Sequence, residues 1–190
     1  MRKYVLFIHG AGDGAYEEDG LLVASLQNAL GSDYEVRYPR MVNEDSPEYA
    51  DWKAQIASEL AALDGEVFLV GHSVGGSVLL KYLSDERVER SIAGLFVIAA
   101  PHWGEDEFWR WDEVQLPPDV AAKLANIRRI FLYHSRDDEI VPFAHLALHA
   151  ANLPHATIRE VDGRGHQFRN DLADVAEDMM RAEITSGRRS

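Results

Sequence analysis

Short apolar runs recur along the chain, and the longer stretches between them space their apolar residues three or four positions apart. The six runs are rich in β-branched and aromatic residues and stop at or near Gly, Pro, Ser or Asp, as buried strands do. They cover residues 4–8, 34–38, 66–70, 92–100, 128–134 and 157–161. The pattern therefore predicts about six strands.

Five of the longer stretches have the spacing of amphipathic helices. They cover residues 20–30, 46–63, 73–86, 145–153 and 170–184. The apolar stripes of the first two are Leu22, Leu26 and Leu30, and Trp52, Ile56 and Leu60. We expect each of these stripes to face a buried core.

Near-continuous apolar strands that alternate with helices favour an α/β fold, a three-layer sandwich with a mostly parallel sheet and helices on both faces. A chain of 190 residues is predicted to form a single domain over residues 1–190. Residues 101–118 differ from the other connections, because they are acidic and hold three of the four tryptophans. We expect this segment to be a short cap-like excursion after the fourth strand, close to the strand ends where such folds carry their sites.

Composition and charge exclude several classes of function. With 19 Lys and Arg against 32 Asp and Glu, the net charge is −13, which argues against a nucleic acid or an anionic membrane as partner. No apolar run approaches the roughly 18 residues of a membrane span, and the amino terminus does not have the pattern of a signal peptide. The chain has no cysteine, so neither a disulfide nor a thiolate metal site is expected. We expect a cytoplasmic protein.

The stretch "VGHSVGGS", residues 70–77, follows the third apolar run and allows a phosphate-binding interpretation. Gly71 and Gly76 have the spacing of a P-loop, but Ser77 and Val78 stand where Lys and Ser or Thr are required. Without the lysine, no cation reaches the terminal phosphate. A nucleotide site of this type is therefore not expected.

The loop after the first run allows a dinucleotide site as an alternative. Gly10, Gly12 and Ala15 match the pattern G-x-G-x-x-[GA] after a strand. The second strand does not end in the acid that would bind a ribose, and residues 15–20 place acids where the phosphates would lie. A contact between Arg40 and a 2′-phosphate keeps this alternative open.

The same stretch also fits a nucleophile elbow, in which G-x-S-x-G links a strand to a helix. The sharp turn forces Ser73 into a strained backbone conformation and lifts its hydroxyl above the sheet. The positions two before and two after must be small, and they are Gly71 and Gly75. A serine hydroxyl at neutral pH is a weak nucleophile, so this interpretation requires a base elsewhere in the chain.

Later strand ends supply that base and an acid in the required order of Ser, acid and His. His166 lies in a glycine-rich loop after the sixth run and is the last histidine in the chain. Asp137 and Asp138 follow the fifth run, and either could orient an imidazole. An oxyanion hole would be formed by the amide of Val74 and by an amide of the loop after the first run, where position favours Ala11 with Gly12 as the alternate donor.

These residues resemble the α/β-hydrolase superfamily over nearly the whole chain. The nearest resemblance is to the small serine hydrolases of the retinoblastoma-binding-protein-nine type. The shared motifs are Gly71-His72-Ser73, Trp109-Arg110-Trp111, Ser135 to Asp138, and Gly165-His166. The resemblance implies an α/β-hydrolase-like fold and the triad of Ser73, Asp138 and His166. Such hydrolases usually show D-x-x-V-P in the acid loop, which favours Asp138 over Asp137 and leaves Asp137 as a solvated or loop-capping acid.

The expected activity is hydrolysis of a small carboxylic ester or related acyl bond through an acyl-enzyme. The partner would be a small-molecule acyl substrate, with no cofactor and no metal. Trp103, Trp109 and Trp111 are candidates for lining the substrate pocket, although they could equally pack over the end of the sheet. A catalytically inert hydrolase fold that binds a protein is the alternative, and no protein partner can be named. The tumour-suppressor partner of the eukaryotic relative is not carried over, because binding there uses a cysteine-containing motif.

The charge of the excursion carries a prediction about substrates. Its acids outnumber the single cation Arg110, and they are Glu105, Asp106, Glu107, Asp112 and Glu113. A negative rim favours neutral or cationic substrates. The short excursion also suggests a shallow pocket and short acyl chains.

Other histidines have simpler roles. His145 and His149 have the i, i+4 spacing of some metal sites, but no third ligand is evident and a surface helix face is expected instead. We expect His9 and His72 to pack and form hydrogen bonds behind the site. His134 has no distinguishing context.

Overall fold

The computed structural model describes residues 3–104 and 107–186. Its strands are β1 (Lys3–Ile8), β2 (Tyr34–Arg37), β3 (Val67–His72), β4 (Ile92–Ile98), β5 (Ile130–Ser135) and β6 (Thr157–Val161). They form one sheet in the order β2-β1-β3-β4-β5-β6, and every neighbouring pair is parallel. Each strand overlaps one of the six apolar runs.

The helices are α1 (Ala15–Leu30), α2 (Tyr49–Ala62), α3 (Val74–Asp85), α4 (Val120–Lys123), α5 (Ala144–Asn152) and α6 (Ala173–Ser186). Helix α1 begins five residues earlier than its apolar spacing predicts. Its first turn carries Glu17 and Glu18, which stabilise a helix amino end through the dipole but contribute nothing to an apolar stripe. Helix α4 is only four residues long, too short to show a period in the sequence.

The side chains of β1 show how the layers arise. Alternate residues of a strand point to opposite faces of the sheet. Val5 and Phe7 pack in a core with residues of α1 and α6, whereas Leu6 and Ile8 pack in a second core with residues of α2, α3 and α5. The stripes predicted for α1 and α2 are buried in these cores. The predicted three-layer fold, with helices on both faces of a parallel sheet, is confirmed.

Parallel strands bring all their carboxyl ends to one edge of the sheet. Strand β3 lies in the middle, and the loops after β1, β4, β5 and β6 surround its end. Part of the excursion, residues 101–118, is a short 3-10 turn at Asp112–Val114. Glu105 and Asp106 lie outside the described residues. Over the described ranges, no helix is long and apolar enough to cross a membrane.

Candidate active site

Ser73 occupies a strained turn between β3 and α3. Its backbone angles are φ 50° and ψ −126°, outside the regions that a non-glycine residue normally adopts. Its amide donates to the Ile98 carbonyl at the end of β4, with a distance of 2.8 Å. Such a conformation costs about 1–3 kcal/mol and persists only where the surroundings enforce it. Here the hydrogen bond to β4 on one side and the start of α3 on the other hold Ser73 in this conformation.

The glycines of the elbow allow the chain to close. A Cβ atom on Gly71 would lie 2.6 Å from Cα of Gly76, at the start of α3. A Cβ on Gly75 would lie 2.3 Å from the Ile8 carbonyl oxygen, so α3 sits directly on the end of β1. Gly76 also faces Val97, whose Cγ1 would be 2.9 Å from an added Cβ. All three positions exclude a side chain because backbone or core atoms already occupy the space.

The side chain of Asp138 is fully buried in the loop after β5. Its Oδ1 accepts hydrogen bonds from the amides of Ile140 (2.9 Å) and Val141 (2.8 Å). Nδ1 of His166 lies 2.9 Å from Oδ2 and 3.1 Å from Oδ1, and thus donates to the carboxylate. The structure therefore joins Asp138 to His166.

His134, on β5, makes a further contact to Asp138 that sequence reasoning did not anticipate. Its Nε2 is 3.1 Å from Oδ2 of Asp138 and 2.9 Å from the Val141 carbonyl oxygen. A carbonyl oxygen only accepts, so Nε2 carries a proton and donates. The only signal in the sequence was a histidine near the end of the fifth run, four residues before Asp138 in the loop that follows.

The surroundings of Asp138 keep it ionised. Burial by itself raises the pKa of the Asp138 carboxyl. The hydrogen bonds from His134 and His166 and from the Val141 amide outweigh burial, and they hold that pKa well below its usual range. At neutral pH the carboxylate is charged and available to stabilise an imidazolium.

Asp137 points away from the imidazole and supports the loop instead. Its Oδ1 accepts from the Ser135 hydroxyl and from the amides of Arg164 and Gly165, each amide at 3.2 Å. These hydrogen bonds, with that from Ser135 foremost, lower the pKa of Asp137. Asp137 thus joins the loop after β5 to the loop that carries His166.

His166 lies beside the elbow. Its ring centroid is 4.9 Å from that of His72, the residue before Ser73. With Nδ1 donating to Asp138, the neutral imidazole has its unprotonated nitrogen at Nε2. Neither that Nε2 nor the Ser73 hydroxyl has a hydrogen-bond partner among the described residues. Contacts of this kind are often long without substrate and tighten in the complex.

Two amides are available for an oxyanion hole. Val74 is the first residue of α3, so its amide has no intrahelical acceptor. In the loop after β1, the Gly12 amide donates to the Glu44 carbonyl oxygen at 2.7 Å. Because Gly12 is engaged in this way, Ala11 is the stronger candidate for the second donor.

The three tryptophans of the excursion form one cluster. The ring centroid of Trp103 is 5.8 Å from that of Trp109 and 5.6 Å from that of Trp111. Trp103 and Trp111 also pack against the core that contains α2, α3 and α5. Trp109 in turn packs against His145, with ring centroids 4.9 Å apart, so packing explains much of this cluster.

The expectation that His145 and His149 form a surface face of α5 is wrong. They are only 5% and 3% exposed, because the chain that leaves β4 covers this helix. Nδ1 of His145 accepts from the His102 amide (2.8 Å), and Nε2 of His149 donates to the Pro101 carbonyl oxygen (3.2 Å). Burial lowers the pKa of His149 to about 3, so this side chain is neutral. No cluster of His, Asp or Glu able to hold a metal occurs in the described part of the chain.

The loop after β1 does not suit a dinucleotide. The Gly10 amide, which would face a phosphate, donates to the buried carboxylate of Asp19 at 2.9 Å. Arg40 is paired with Glu17 and with Glu44, so its charge is already balanced by two carboxylates. A buried negative charge next to the glycines would repel a pyrophosphate.

Comparison with known proteins identifies the family and the fold. The parallel sheet with helices on both faces is the fold of the α/β-hydrolases. The sequence model of a family described as Serine hydrolase matches residues 18–171, and the chain belongs to this family. A search of curated protein sequences finds no significant match.

Solved structures share the fold at low sequence identity. The ydeN gene product of Bacillus subtilis is 20% identical with a TM-score of 0.75, and the match covers 96% of this chain and 99% of that one. A serine hydrolase, CCSP0084, from Cycloclasticus zankles is 14% identical with a TM-score of 0.73, covering 100% and 92%. Est1E from Butyrivibrio proteoclasticus is 15% identical with a TM-score of 0.63, covering 97% and 88%.

Proposed function

We propose that this serine hydrolase cleaves a small carboxylic ester or related acyl bond with Ser73 as nucleophile, His166 as base and Asp138 as the acid that orients it. The observation that carries the proposal is the strained Ser73 beside a histidine whose Nδ1 donates to a buried carboxylate. The proximity of these groups at the carboxyl edge of the sheet is what nucleophilic catalysis requires.

The mechanism follows from the tautomer of His166. Its free Nε2 takes the proton of the Ser73 hydroxyl while the oxygen attacks the acyl carbon. The Val74 and Ala11 amides stabilise the oxyanion that forms. His166 then gives the proton to the leaving group, which departs and leaves an acyl-serine. Water, deprotonated by His166, attacks this ester, and His166 returns that proton to the Ser73 oxygen as the bond to the acyl group breaks and the acid leaves. Asp138 stabilises the imidazolium in both halves.

The substrate proposal rests on the groove beside His166. This groove has a volume of about 390 Å³, and its lining consists of Glu18, Leu21, Glu139, Ile140, His166, Gln167 and Asn170. Leu21 and Ile140 are 57% and 58% exposed, so an apolar group would bury them. The two carboxylates favour a positive or neutral group over a negative one. Because His166 protonates the leaving group, we assign the leaving alcohol of the substrate to this groove.

The excursion is a second acidic segment of the chain. Arg110, its single cation, is paired with Asp112 at 3.1 Å. This pairing balances the cation, so by sequence Glu105, Asp106, Glu107 and Glu113 remain as the net charge of the excursion. Neutral or cationic esters with short acyl chains are therefore the proposed substrate class.

Labelling by a fluorophosphonate tests the nucleophile directly. Wild-type protein should be labelled and should hydrolyse p-nitrophenyl acetate, and Ser73→Ala should lose both, with kcat lower by about 10⁴–10⁶-fold. Ser84→Ala is the matched control, because Ser84 is also buried, at the other end of α3, and donates to the Lys81 carbonyl oxygen. Undiminished turnover by Ser73→Ala would contradict the assignment. A wild-type protein that is never labelled would favour an inert binding module.

A further inference from the structure

A buried carboxylate on α1 contacts three segments of the site at once. Asp19 is 2% exposed. Its Oδ2 accepts from the Gly10 amide and lies next to Nδ1 of His72, each at 2.9 Å. Its Oδ1 accepts from Nε2 of Gln167 at 2.7 Å. These three partners are the sequence neighbours of Ala11, Ser73 and His166.

His72 is bonded at both ring nitrogens. Its Nε2 lies 3.0 Å from the carbonyl oxygen of His166, which can only accept, so this nitrogen carries a proton. Its Nδ1 faces the Asp19 carboxylate. An unprotonated Nδ1 would be an acceptor facing an acceptor and would be repelled, so this nitrogen is protonated as well. Burial alone would lower the pKa of His72, but the Asp19 carboxylate outweighs it and raises that pKa. Burial likewise opposes ionisation of Asp19, but His72 and the other donors lower its pKa.

The charged and titratable groups around His72 come from three elements. Asp19 belongs to α1, Asp138 to the loop after β5 and His166 to the loop after β6. The two carboxylates both favour a protonated His72, and Asp19 has the larger effect because it forms the hydrogen bond. His72 is 2% exposed, so solvent screens this attraction very little.

We propose that Asp19 and His72 are a positioning pair, a buried carboxylate–imidazolium that holds the main chain of His166 and the Ala11 loop in place around Ser73. The inference rests on the proposed function of this site and adds residues that do not touch the substrate. Reacting groups must be held closely, since a displacement of about 1 Å can cost about 10²-fold in rate. The pair does this only while His72 keeps both protons.

The pH dependence of turnover distinguishes this role from simple packing. As the pH rises, His72 loses the Nδ1 proton and presents a lone pair to the Asp19 carboxylate. The contact then becomes repulsive, and kcat should fall on the alkaline side. Asparagine at position 19 offers a single acceptor oxygen, so it cannot serve Gly10, Gln167 and a protonated His72 together.

The test measures kcat and KM for p-nitrophenyl acetate across neutral and alkaline pH. Asp19→Asn should lower kcat at neutral pH by about 10–10²-fold with little change in KM, and should move the alkaline fall to lower pH. His72→Gln keeps a donor for the His166 carbonyl but does not titrate, so its alkaline fall should disappear.

Asp178→Asn is the control for a merely structural effect. Asp178 is also a buried carboxylate, and it accepts from the Tyr133 hydroxyl at 2.9 Å and from Arg159 at 2.8 Å. Among the described residues, its hydrogen bonds are to Tyr133 and Arg159 and not to the three segments of the site. This variant should lower Tm but leave kcat and the alkaline fall unchanged.

Two outcomes would overturn the proposal. If Asp19→Asn is labelled normally by the fluorophosphonate and keeps both kcat and the alkaline fall, the positioning pair is wrong and the proposed function stands. If the variant does not fold, ¹⁵N NMR of the wild type decides, with His149 as the neutral reference. Both ring nitrogens of His72 should be protonated at neutral pH, and a singly protonated ring would contradict the pair. A wild type that is never labelled removes the proposed function itself.

Discussion

Two buried carboxylates each hold a histidine at this site, and the two pairs differ in what the histidine can still do. Asp138 and Asp19 both accept main-chain amides and a ring Nδ1. His166 uses one nitrogen in its pair and has an 11% exposed side chain, which leaves Nε2 accessible for the proposed proton transfer. His72 is bonded at both nitrogens and is buried. A carboxylate neighbour therefore does not make a histidine a base; a free, accessible nitrogen does.

The largest effect should come from breaking the pair that contains the base. Asp138→Asn should lower kcat by about 10⁴-fold, because the amide no longer holds the Nδ1–H tautomer of His166. Asp137→Asn should cost far less, since Asp137 contacts the loop and not the ring. Steady-state kinetics with p-nitrophenyl acetate compares the two variants. A greater loss in Asp137→Asn would exchange their roles.

A smaller effect should follow from replacing His134, the second histidine that contacts Asp138. His134→Gln weakens the hydrogen bond to Oδ2 and should lower kcat by about tenfold, the scale of one hydrogen bond to a charged group. Fluorophosphonate labelling should continue at a reduced rate. Equal rates for His134→Gln and the wild type would show that the two main-chain amides and His166 suffice to orient Asp138.

The pH dependence of the free energy of unfolding should distinguish the two pairs. The folded pKa of His72 lies above the ordinary 6.5, so its contribution is fully present below 6.5 and is lost as the pH rises through the folded value. Asp138 has a folded pKa below the ordinary 3.8, so its contribution is present above 3.8 and is lost as the pH falls. Urea unfolding of the wild type should show both losses. His72→Gln should lack the alkaline loss and retain the acid one.

The smallest effect concerns the groove beside His166. His72 is buried and is not among the residues that line this groove. An ester with a quaternary ammonium leaving alcohol should have a kcat/KM several-fold above that of a matched anionic ester, and added salt should reduce the difference. Glu18→Gln and Glu139→Gln together should also reduce this difference in kcat/KM between the two esters. Glu89→Gln, in a groove away from this site, should not. Equal kcat/KM values for the two esters at every salt concentration would contradict the proposal that the carboxylates of this groove favour a cationic group.

Much of the fold could be predicted because its signals are local. The runs that became β1, β3, β4 and β5 are largely apolar on both faces, and the stripes of α1 and α2 lie at regular spacing, so burial follows from periodicity. Helix α5 shows the limit of this approach. Its histidines look polar in the sequence, but they are buried because the segment after β4 folds back over them. Burial by a distant segment leaves no local pattern.

The sequence by itself determined the six-stranded α/β arrangement, the glycines around Ser73 and the order of serine, acid and histidine. These features depend on side-chain size, apolar spacing and chain direction, which are written residue by residue. Only the tertiary structure decided which aspartate faces His166, that Gly12 is engaged by Glu44, and that His134 and Asp19 join the site. Those outcomes depend on where separate strand ends meet and on which donor comes within about 3 Å of which acceptor, a distance that only the folded chain sets.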